Sequence, residues 1–271
     1  MMRYMKEFYR FIKHVIESRK LLFTLAYHDF KSHYLGSYLG VFWVVLRPAL
    51  FILVIWFVFS VGFKTKPVEE ETPFVLWLLC GMIPWLFFAE ALQKGMNAIT
   101  SNAYLVKKVS FRISILPVVS ILSALCVHFV LILLLVMVFI LNGFYPTLYW
   151  MQLIYYVFLT FILLVGLSFF TSSLRVFIKD MGEIIGLVIQ FGFWLTPIFW
   201  SFKIIPEQYH YFIKLNPMVY IVEGFRDTFI YQTWFWEKTG DTLQFLSITI
   251  FIFLFGAIIF KRLRPHFGDV L

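Results

Sequence analysis

Arg47 and Pro48 interrupt the first long apolar run of the sequence, close to its start. The run continues after them as ALFILVIWFVF, which contains no charge. A guanidinium group binds phosphate oxygens in a bidentate manner, so Arg47 is a candidate contact for an anionic substrate head group. It can equally face the interior of an oligomer, or extend along the apolar surface until its charge reaches the lipid head groups. Pro48 frees one backbone carbonyl and can kink a helix there.

Glu90 is the clearest acidic residue within an apolar run, WLFFAEALQKG. Near the inner end of a membrane span it would lie at the interface, or it would pair with a basic residue such as Arg47. A proton relay would need further buried acids, and the other apolar runs contain none. This pattern does not favour a proton-coupled transporter.

The sequence lacks the motifs of common catalytic sites. It contains no G-x-x-x-x-G-K-[ST] phosphate loop, so the chain alone is not expected to hydrolyse ATP. It also contains no H-E-x-x-H zinc motif and no G-x-S-x-G nucleophile elbow. Its six histidines are dispersed, and its two cysteines, Cys80 and Cys126, lie within apolar runs as small buried hydrophobes would. We therefore predict no catalytic residue and no metal or cofactor in this chain.

Composition indicates an all-α polytopic membrane protein. Of the 271 residues, 61% are hydrophobic and only 14% are charged, whereas soluble domains average about 45–50% and about 25%. A span needs roughly 20 apolar residues, and six candidates occur, at about 41–63, 74–92, 113–141, 150–174, 184–200 and 244–260. The amphipathic segment 201–230 predicts one or two short re-entrant helices before the last span.

The Lys and Arg residues predict the orientation of these spans. With the N-terminus in the cytoplasm, sixteen of the 23 lie in inside segments and six in outside segments, with Arg47 in the first span. The positive-inside rule then places both termini in the cytoplasm. The net charge of +8 is thus explained by topology, and no nucleic-acid-binding signature accompanies it. Residues 1–40 are expected to form an amphipathic helix, over about 4–33, that lies on the membrane surface or packs on a partner.

The aromatic content is high, with 35 Phe, 14 Tyr and 9 Trp. Trp and Tyr belts at the two membrane interfaces explain part of it. Aromatic rings also stack on the apolar faces of sugars, so a glycan pathway is the second interpretation of the same residues.

Seven landmarks occur in order along the chain: YLGSYLGVFWVVLRP (34–48), GMIPWLFFAEAL (81–92), NAYLVKKVSFRISILPVV (102–119), VFIKDMGEIIG (176–186), WLTPIFW (194–200), LNPMVYIVEGFRDTF (215–229) and LRPHFGDVL (263–271). Together they make the chain resemble the membrane subunit of the type-2 ABC exporters that move polysaccharides. That family comprises the O-antigen, capsule and wall teichoic acid permeases.

The resemblance implies a homodimer of six-helix subunits, with two copies of a separate cytoplasmic ATPase subunit that uses ATP and Mg²⁺. It implies a cargo polysaccharide linked through diphosphate to a polyprenyl lipid, moved from the inner to the outer leaflet of the bacterial plasma membrane. General similarity slightly favours wall teichoic acid over O-antigen. An ABC-2 exporter of drugs or other lipids, and a membrane-embedded glycosyl- or acyltransferase, are the alternatives.

Two groups of site residues follow. Aromatic residues of the first two spans, with basic residues at the cytoplasmic boundary, are predicted to line the substrate pathway at the dimer interface and capture the diphosphate: Phe42, Trp43, Arg47, Trp77, Trp85, Phe88 and Arg112. The inner loop 93–112 is predicted to form a short helix capped by Asn97 or Ser101 that docks on the ATPase subunit, with residues 175–183 as a second contact. The coupling residues are Asn97, Ser101, Tyr104, Leu105, Lys107, Lys108, Arg175, Asp180 and Glu183.

Overall fold

The computed structural model describes residues 19–34, 40–62, 72–107 and 112–271, and within these ranges every regular element is a helix. The α-helices, in chain order, are α1 Arg19–Tyr34, α2 Trp43–Phe57, α3 Phe74–Asn97, α4 Ala103–Val106, α5 Ile115–Leu141, α6 Leu153–Phe177, α7 Met181–Leu195, α8 Glu207–Lys214, α9 Pro217–Arg226, α10 Thr239–Leu263 and α11 Phe267–Val270. Helix α2 continues as a π-helical turn, Val58–Gly62, and α9 as Asp227–Tyr231.

Four helical segments of the described chain are long and apolar enough to cross a membrane: Phe74–Asn97, Ile115–Leu141, Leu148–Phe177 and Phe235–Val270. These confirm a polytopic membrane protein. Helix α7 is apolar but has only 15 residues, about 23 Å at 1.5 Å per residue, against about 30 Å of hydrocarbon. Helix α2 also has 15 residues, and its π-helical continuation adds five. The predicted fifth span, 184–200, extends five residues beyond the observed helix. Helix α7 stops at Leu195 because Thr196, which precedes Pro197, adopts extended backbone angles.

In chain order, each long helix runs opposite to the one before it. Tyr155 and Phe235 stack with ring centroids 3.9 Å apart at one end of α6 and α10, and Phe177 and Phe267 lie 6.0 Å apart at the other, so the two helices run parallel. Helices α5 and α7 run opposite to α3, α6 and α10. We call the end that holds residues 195–238 the hairpin end, and the end that holds α4, residues 178–180 and α11 the loop end.

Small residues bring the central helices close together. A Cβ on Gly256 would lie 2.2 Å from the Gly166 carbonyl oxygen, so α10 and α6 touch through their backbones. A Cβ on Gly95 would lie 2.1 Å from Ser168 Oγ, which places α3 directly against α6. Small residues at helix contacts are typical of membrane bundles. The cysteine prediction is half right, since Cys80 is buried in this core but Cys126 is exposed on the outside of α5.

Helix α1 covers the part of the predicted amphipathic helix that the structure describes. Leu22 and Ala26 are buried, whereas Phe23 and Tyr27 are exposed. The helix packs on α5 of the same chain. Residues 4–18 of the predicted helix lie outside the described residues.

Two short helices form within 201–230, as predicted: α8 and α9. Asn216 fixes the turn between them because its Oδ1 accepts a hydrogen bond from the Met218 N–H, 3.0 Å away. Its Nδ2 donates to Thr196 Oγ1 over 2.8 Å, which ties the turn to the chain that follows α7. Pro217 occupies the first turn of α9, where its missing N–H costs nothing.

Candidate functional site

The hairpin end contains a cavity of about 350 Å³ between α8, α9 and the start of α10. Its size falls at the small end of the roughly 300–1,000 Å³ seen for small-molecule sites. Apolar walls and ionisable groups both line it. The side chains on which its chemistry depends are Lys214, Tyr220, Glu223, Asp227, Lys238, Asp241 and Gln244.

Two ion pairs connect the α8–α9 hairpin to the last span across this cavity. Lys238 Nζ donates to both carboxylate oxygens of Asp227 at 2.6 Å, and Lys214 Nζ donates to Asp241 Oδ1 at 2.5 Å. Burial raises the pKa of Asp227 to about 6, because desolvation outweighs the opposing Lys238 ammonium and the Glu223 and Asp241 carboxylates add to the increase. Asp227 therefore holds its proton closer to neutral pH than an exposed aspartate does.

Gln152 positions the segment that carries Lys238. Its Nε2 donates to the Thr233 carbonyl oxygen over 2.9 Å, and its Oε1 accepts from the Phe235 N–H at 3.1 Å. The chain reaches these bonds through Gln232, which has a positive φ of 51°. A 3-10 turn, Phe235–Lys238, then leads into α10.

A fully buried arginine lies behind the cavity. Arg226 Nη1 donates to Glu223 Oε1 at 2.6 Å, and Nη2 donates to the Ile198 carbonyl oxygen at 2.8 Å. Its guanidinium group stacks on the Trp77 ring, 3.4 Å from the centroid. A Cβ on Gly81 would lie 3.1 Å from Arg226 Nη2, so the glycine makes room for the charge.

Sequence reasoning missed this cluster. In the sequence, Arg226 is one of the six basic residues of the predicted outside segments, and Trp77 is predicted to line the pathway. The available signal was the pair Glu223 and Arg226, three residues apart in EGFRD, in a chain with few charges. The stack on Trp77 joins residues far apart in sequence, so spacing alone does not reveal it.

The predicted pathway residues fall into two places. Phe42 is exposed and Trp43 half-buried on the α2 side, where the Arg47 guanidinium carbon lies 5.3 Å from the Trp43 ring centroid. Trp77, Trp85 and Phe88 are instead buried within the single chain.

Trp85 contacts Phe88 of its own helix and Phe193 of α7. Its ring lies 5.4 Å from that of Phe88 and 6.2 Å from that of Phe193 in α7.

Arg112 is exposed just before α5. The acid Glu90 pairs with Lys94 at 2.7 Å, one helical turn away, and not with Arg47.

The predicted coupling loop contains the expected short helix, α4, after a 3-10 turn at Thr100–Asn102. Neither Asn97 nor Ser101 caps it. Asn97 Nδ2 instead donates back to the Gln93 carbonyl oxygen, and Asn102 occupies the N-cap position without a side-chain cap. The remaining coupling residues differ in exposure: Ser101, Tyr104 and Lys107 are exposed, Leu105 is half-buried, and Lys108 lies outside the described residues.

The second predicted contact is a tight turn between α6 and α7. Arg175 Nη1 donates to the Lys179 carbonyl oxygen and thereby closes the turn. Asp180 and Glu183 are exposed beside it. The turn and α4 lie at the same loop end of the bundle.

Among the residues described, no group of three His, Cys, Asp or Glu side chains is placed to hold a metal ion.

Comparison with known proteins shows which family the sequence matches. A family model described as "ABC-2 type transporter" matches residues 20–230. The chain is 29% identical over 257 residues to the O-antigen export system permease protein RfbA of Klebsiella pneumoniae, covering 93% of this chain and 95% of the relative. It is 28% identical to the protein of the same name from Myxococcus xanthus, covering 96% and 98%. It is 23% identical to the polysialic acid transport protein KpsM of Escherichia coli, covering 84% and 87%.

Proposed function

We propose, from the premise that the chain belongs to the ABC-2 type transporter family, that it is the permease of an ATP-driven exporter of a polyprenyl-diphosphate-linked polysaccharide. As a member of that family it is a membrane permease subunit without an ATPase domain of its own, and it works with a separate ATPase subunit. The proposed cargo is supported by the near full-length similarity to permeases named for O-antigen and polysialic acid transport.

The named relatives favour an O-antigen-type polymer. Wall teichoic acid, which the sequence alone slightly favoured, becomes the second choice of polymer. Both are glycopolymers carried on a lipid diphosphate, so the same permease chemistry serves either. Drugs and other lipids are the alternative cargo.

We place the pathway between two copies of the chain, against α2 and α7. These two helices are short, meet through the Phe51 and Phe193 rings, 6.0 Å apart, and expose large apolar side chains such as Phe57 and Phe191. A second copy would cover this surface, because membrane helices associate through packing of such faces. Phe42, Trp43 and Arg47 lie on its α2 side, and the buried Trp77, Trp85 and Phe88 support it from behind.

Arg47 in this arrangement captures the diphosphate. It is exposed on α2 and lies over the Trp43 ring, so its fork of N–H donors remains available to phosphate oxygens. Arg112, exposed at the loop end, is the second basic contact.

The loop end faces the cytoplasm and the ATPase subunit in our proposal, with both termini on that side and the whole chain, 1–271, as one membrane domain. Basic side chains concentrate there, including Lys107, Arg112, Lys179, Arg262 and Arg264, as the positive-inside rule requires. Helix α4 and the 175–183 turn dock on the ATPase, so closure of its nucleotide sites moves α3 and α6. The six apolar helices then cross the bacterial plasma membrane, with α2 and α7 meeting a locally thinned bilayer or a partner copy.

The experiment that tests the function is ATP-dependent translocation of a polyprenyl-diphosphate-linked oligosaccharide by the permease reconstituted with its ATPase subunit. Drug-like dyes and phospholipids serve as competing cargoes in the same vesicles.

A further inference from the structure

The cavity at the hairpin end is separate from the pathway surface on α2 and α7. It lies within one chain, between the α8–α9 hairpin and α10. Two lysines and three carboxylic acids line it, so its charges nearly cancel. Such a site does not select strongly for an anionic or a cationic ligand.

Two carboxylate oxygens of the lining have unused hydrogen-bonding capacity. Glu223 uses Oε1 for Arg226 and Asp241 uses Oδ1 for Lys214. In the part of the chain that the structure describes, Glu223 Oε2 and Asp241 Oδ2 receive no hydrogen bond from protein. The Glu223 and Asp241 side chains remain 27% and 38% exposed. Each can therefore accept a hydrogen bond from a hydroxyl group placed in the cavity.

Arg226 holds one of these carboxylates in position. A fully buried arginine within a membrane domain is costly and marks a functional site by default. Here its charge is offset by the Trp77 ring, the Ile198 carbonyl and Glu223. The consequence is an oriented Glu223 carboxylate, and Glu223 is one of the residues that line the cavity.

The rest of the wall suits a ring with one apolar face. Pro217, Val219 and Phe245 supply apolar surface, and Gln244 and Lys214 supply donors. Hydroxyl groups on an apolar ring are the chemistry of a sugar. Because the charges of the wall nearly cancel, a phosphate or an amine gains no strong electrostatic advantage over an uncharged sugar.

We infer that this cavity is a binding site for one uncharged sugar unit, held by Glu223, Asp241, Lys214 and Gln244. As a step in export, the inference rests on the proposed function: at the outer surface, the site receives a sugar of the polymer as it leaves the membrane. The binding chemistry itself depends only on the cavity.

The test is saturation-transfer NMR on the full chain in lipid nanodiscs with the methyl glycosides of mannose, galactose, rhamnose and N-acetylglucosamine. We expect at least one of these neutral glycosides to bind, and glucosamine and glucuronic acid to bind more weakly. Asp241→Asn and Lys214→Gln each remove a charged hydrogen-bonding group and should weaken binding about tenfold. Glu207→Gln is the matched control, since it removes an exposed acid of the same hairpin that does not line the cavity.

The parent protein decides the result even if a variant folds poorly. Absence of binding by all four neutral glycosides overturns the inference, as does unchanged binding in both cavity variants. Translocation of a lipid-linked glycan without glycoside binding would leave the proposed function standing and remove the cavity site. Glycoside binding lost in Asp241→Asn, without translocation of any lipid-linked glycan, would keep the cavity site and remove the proposed function.

Discussion

Arg226 and Trp77 form a cation–π pair inside the bundle, with the guanidinium carbon 3.4 Å from the ring centroid. Arg226 has no exposed surface, and Trp77 is 2% exposed. The pair joins α9 of the hairpin to α3, which is the most buried of the four long apolar helices in the described chain. It therefore fastens the hairpin to the first turn of α3.

Arg226→Lys should destabilise the protein because the ammonium group keeps the charge but loses the planar fork and the stacked face. Each lost hydrogen bond to the charged group costs roughly 1.5–3 kcal/mol. Trp77→Phe should cost less, since it keeps an aromatic face and loses the Nε1–H bond to Tyr231. Thermal unfolding of the purified permease in nanodiscs measures both. Arg262→Lys, at an exposed site, is the control, and an Arg226→Lys protein as stable as this control would refute the structural role.

Gly256→Ala should prevent close packing of α6 and α10. The new methyl group would lie 2.2 Å from the Gly166 carbonyl oxygen, and a backbone atom cannot rotate away as a side chain does. Gly240→Ala in the same helix meets nothing within 4 Å and should be neutral or stabilising by up to about 1 kcal/mol. The yield of monodisperse protein after detergent extraction compares the two variants. Equal yields would show that the helices can separate without loss of fold.

Substitutions at Arg47 distinguish a role in phosphate capture from a side chain that only extends to the lipid head groups. Arg47→Lys keeps the charge and should reduce export partially, whereas Arg47→Ala should reduce it severely, because bidentate binding needs the guanidinium fork. Export of the glycopolymer in cells, normalised to the amount of folded permease, is the readout. Unchanged export by Arg47→Ala would leave only a lipid-facing role for this residue.

Tyr104→Ala combined with Leu105→Ala should uncouple the permease from its ATPase subunit. Tyr104 is 65% exposed, and Leu105 is half-buried on the same short helix, so the pair offers an apolar contact to a partner while leaving the membrane helices intact. The variant should insert and dimerise normally but lose ATPase binding or cargo-stimulated hydrolysis.

Cysteine crosslinking from positions 100–108, in a background without Cys80 and Cys126, locates that contact directly. Residues 142–147, at the opposite end, provide the control positions. A transporting complex with no crosslinks from 100–108 would place the coupling contact elsewhere in the chain.

The sequence predicted the helical elements well because apolar length and breaker residues are local signals. The apolar run that begins at Phe74 is recognisable as a helix from its own length and composition, and Pro217 after Asn216 predicts the start of a helix. It predicted the short helix of the coupling loop but not its N-cap, since the polar side chains of Thr100 and Asn102 donate back to carbonyls of the preceding turn.

The cavity could not be predicted in this way. Asp227 and Lys238 are separated by a π-helical turn and a left-handed residue, so their meeting depends on the path of the chain through Gln232 and on the brace from Gln152. The partner of Glu90 was undecided for a related reason. Charge spacing lists possible pairs, and only packing selects Lys94 over Arg47.

The most direct test of the proposed function is translocation by the reconstituted complex of permease and ATPase subunit. Vesicles would carry a fluorescent polyprenyl-diphosphate oligosaccharide, the same polyprenyl diphosphate without sugars, or a fluorescent phospholipid, each followed by quenching from outside. We predict ATP-dependent movement of the glycan-bearing lipid, faster than that of the other two, and its loss when the ATPase site is inactivated. Equal movement of all three lipids, or movement of the phospholipid alone, would contradict a polysaccharide exporter and assign the chain to general lipid export.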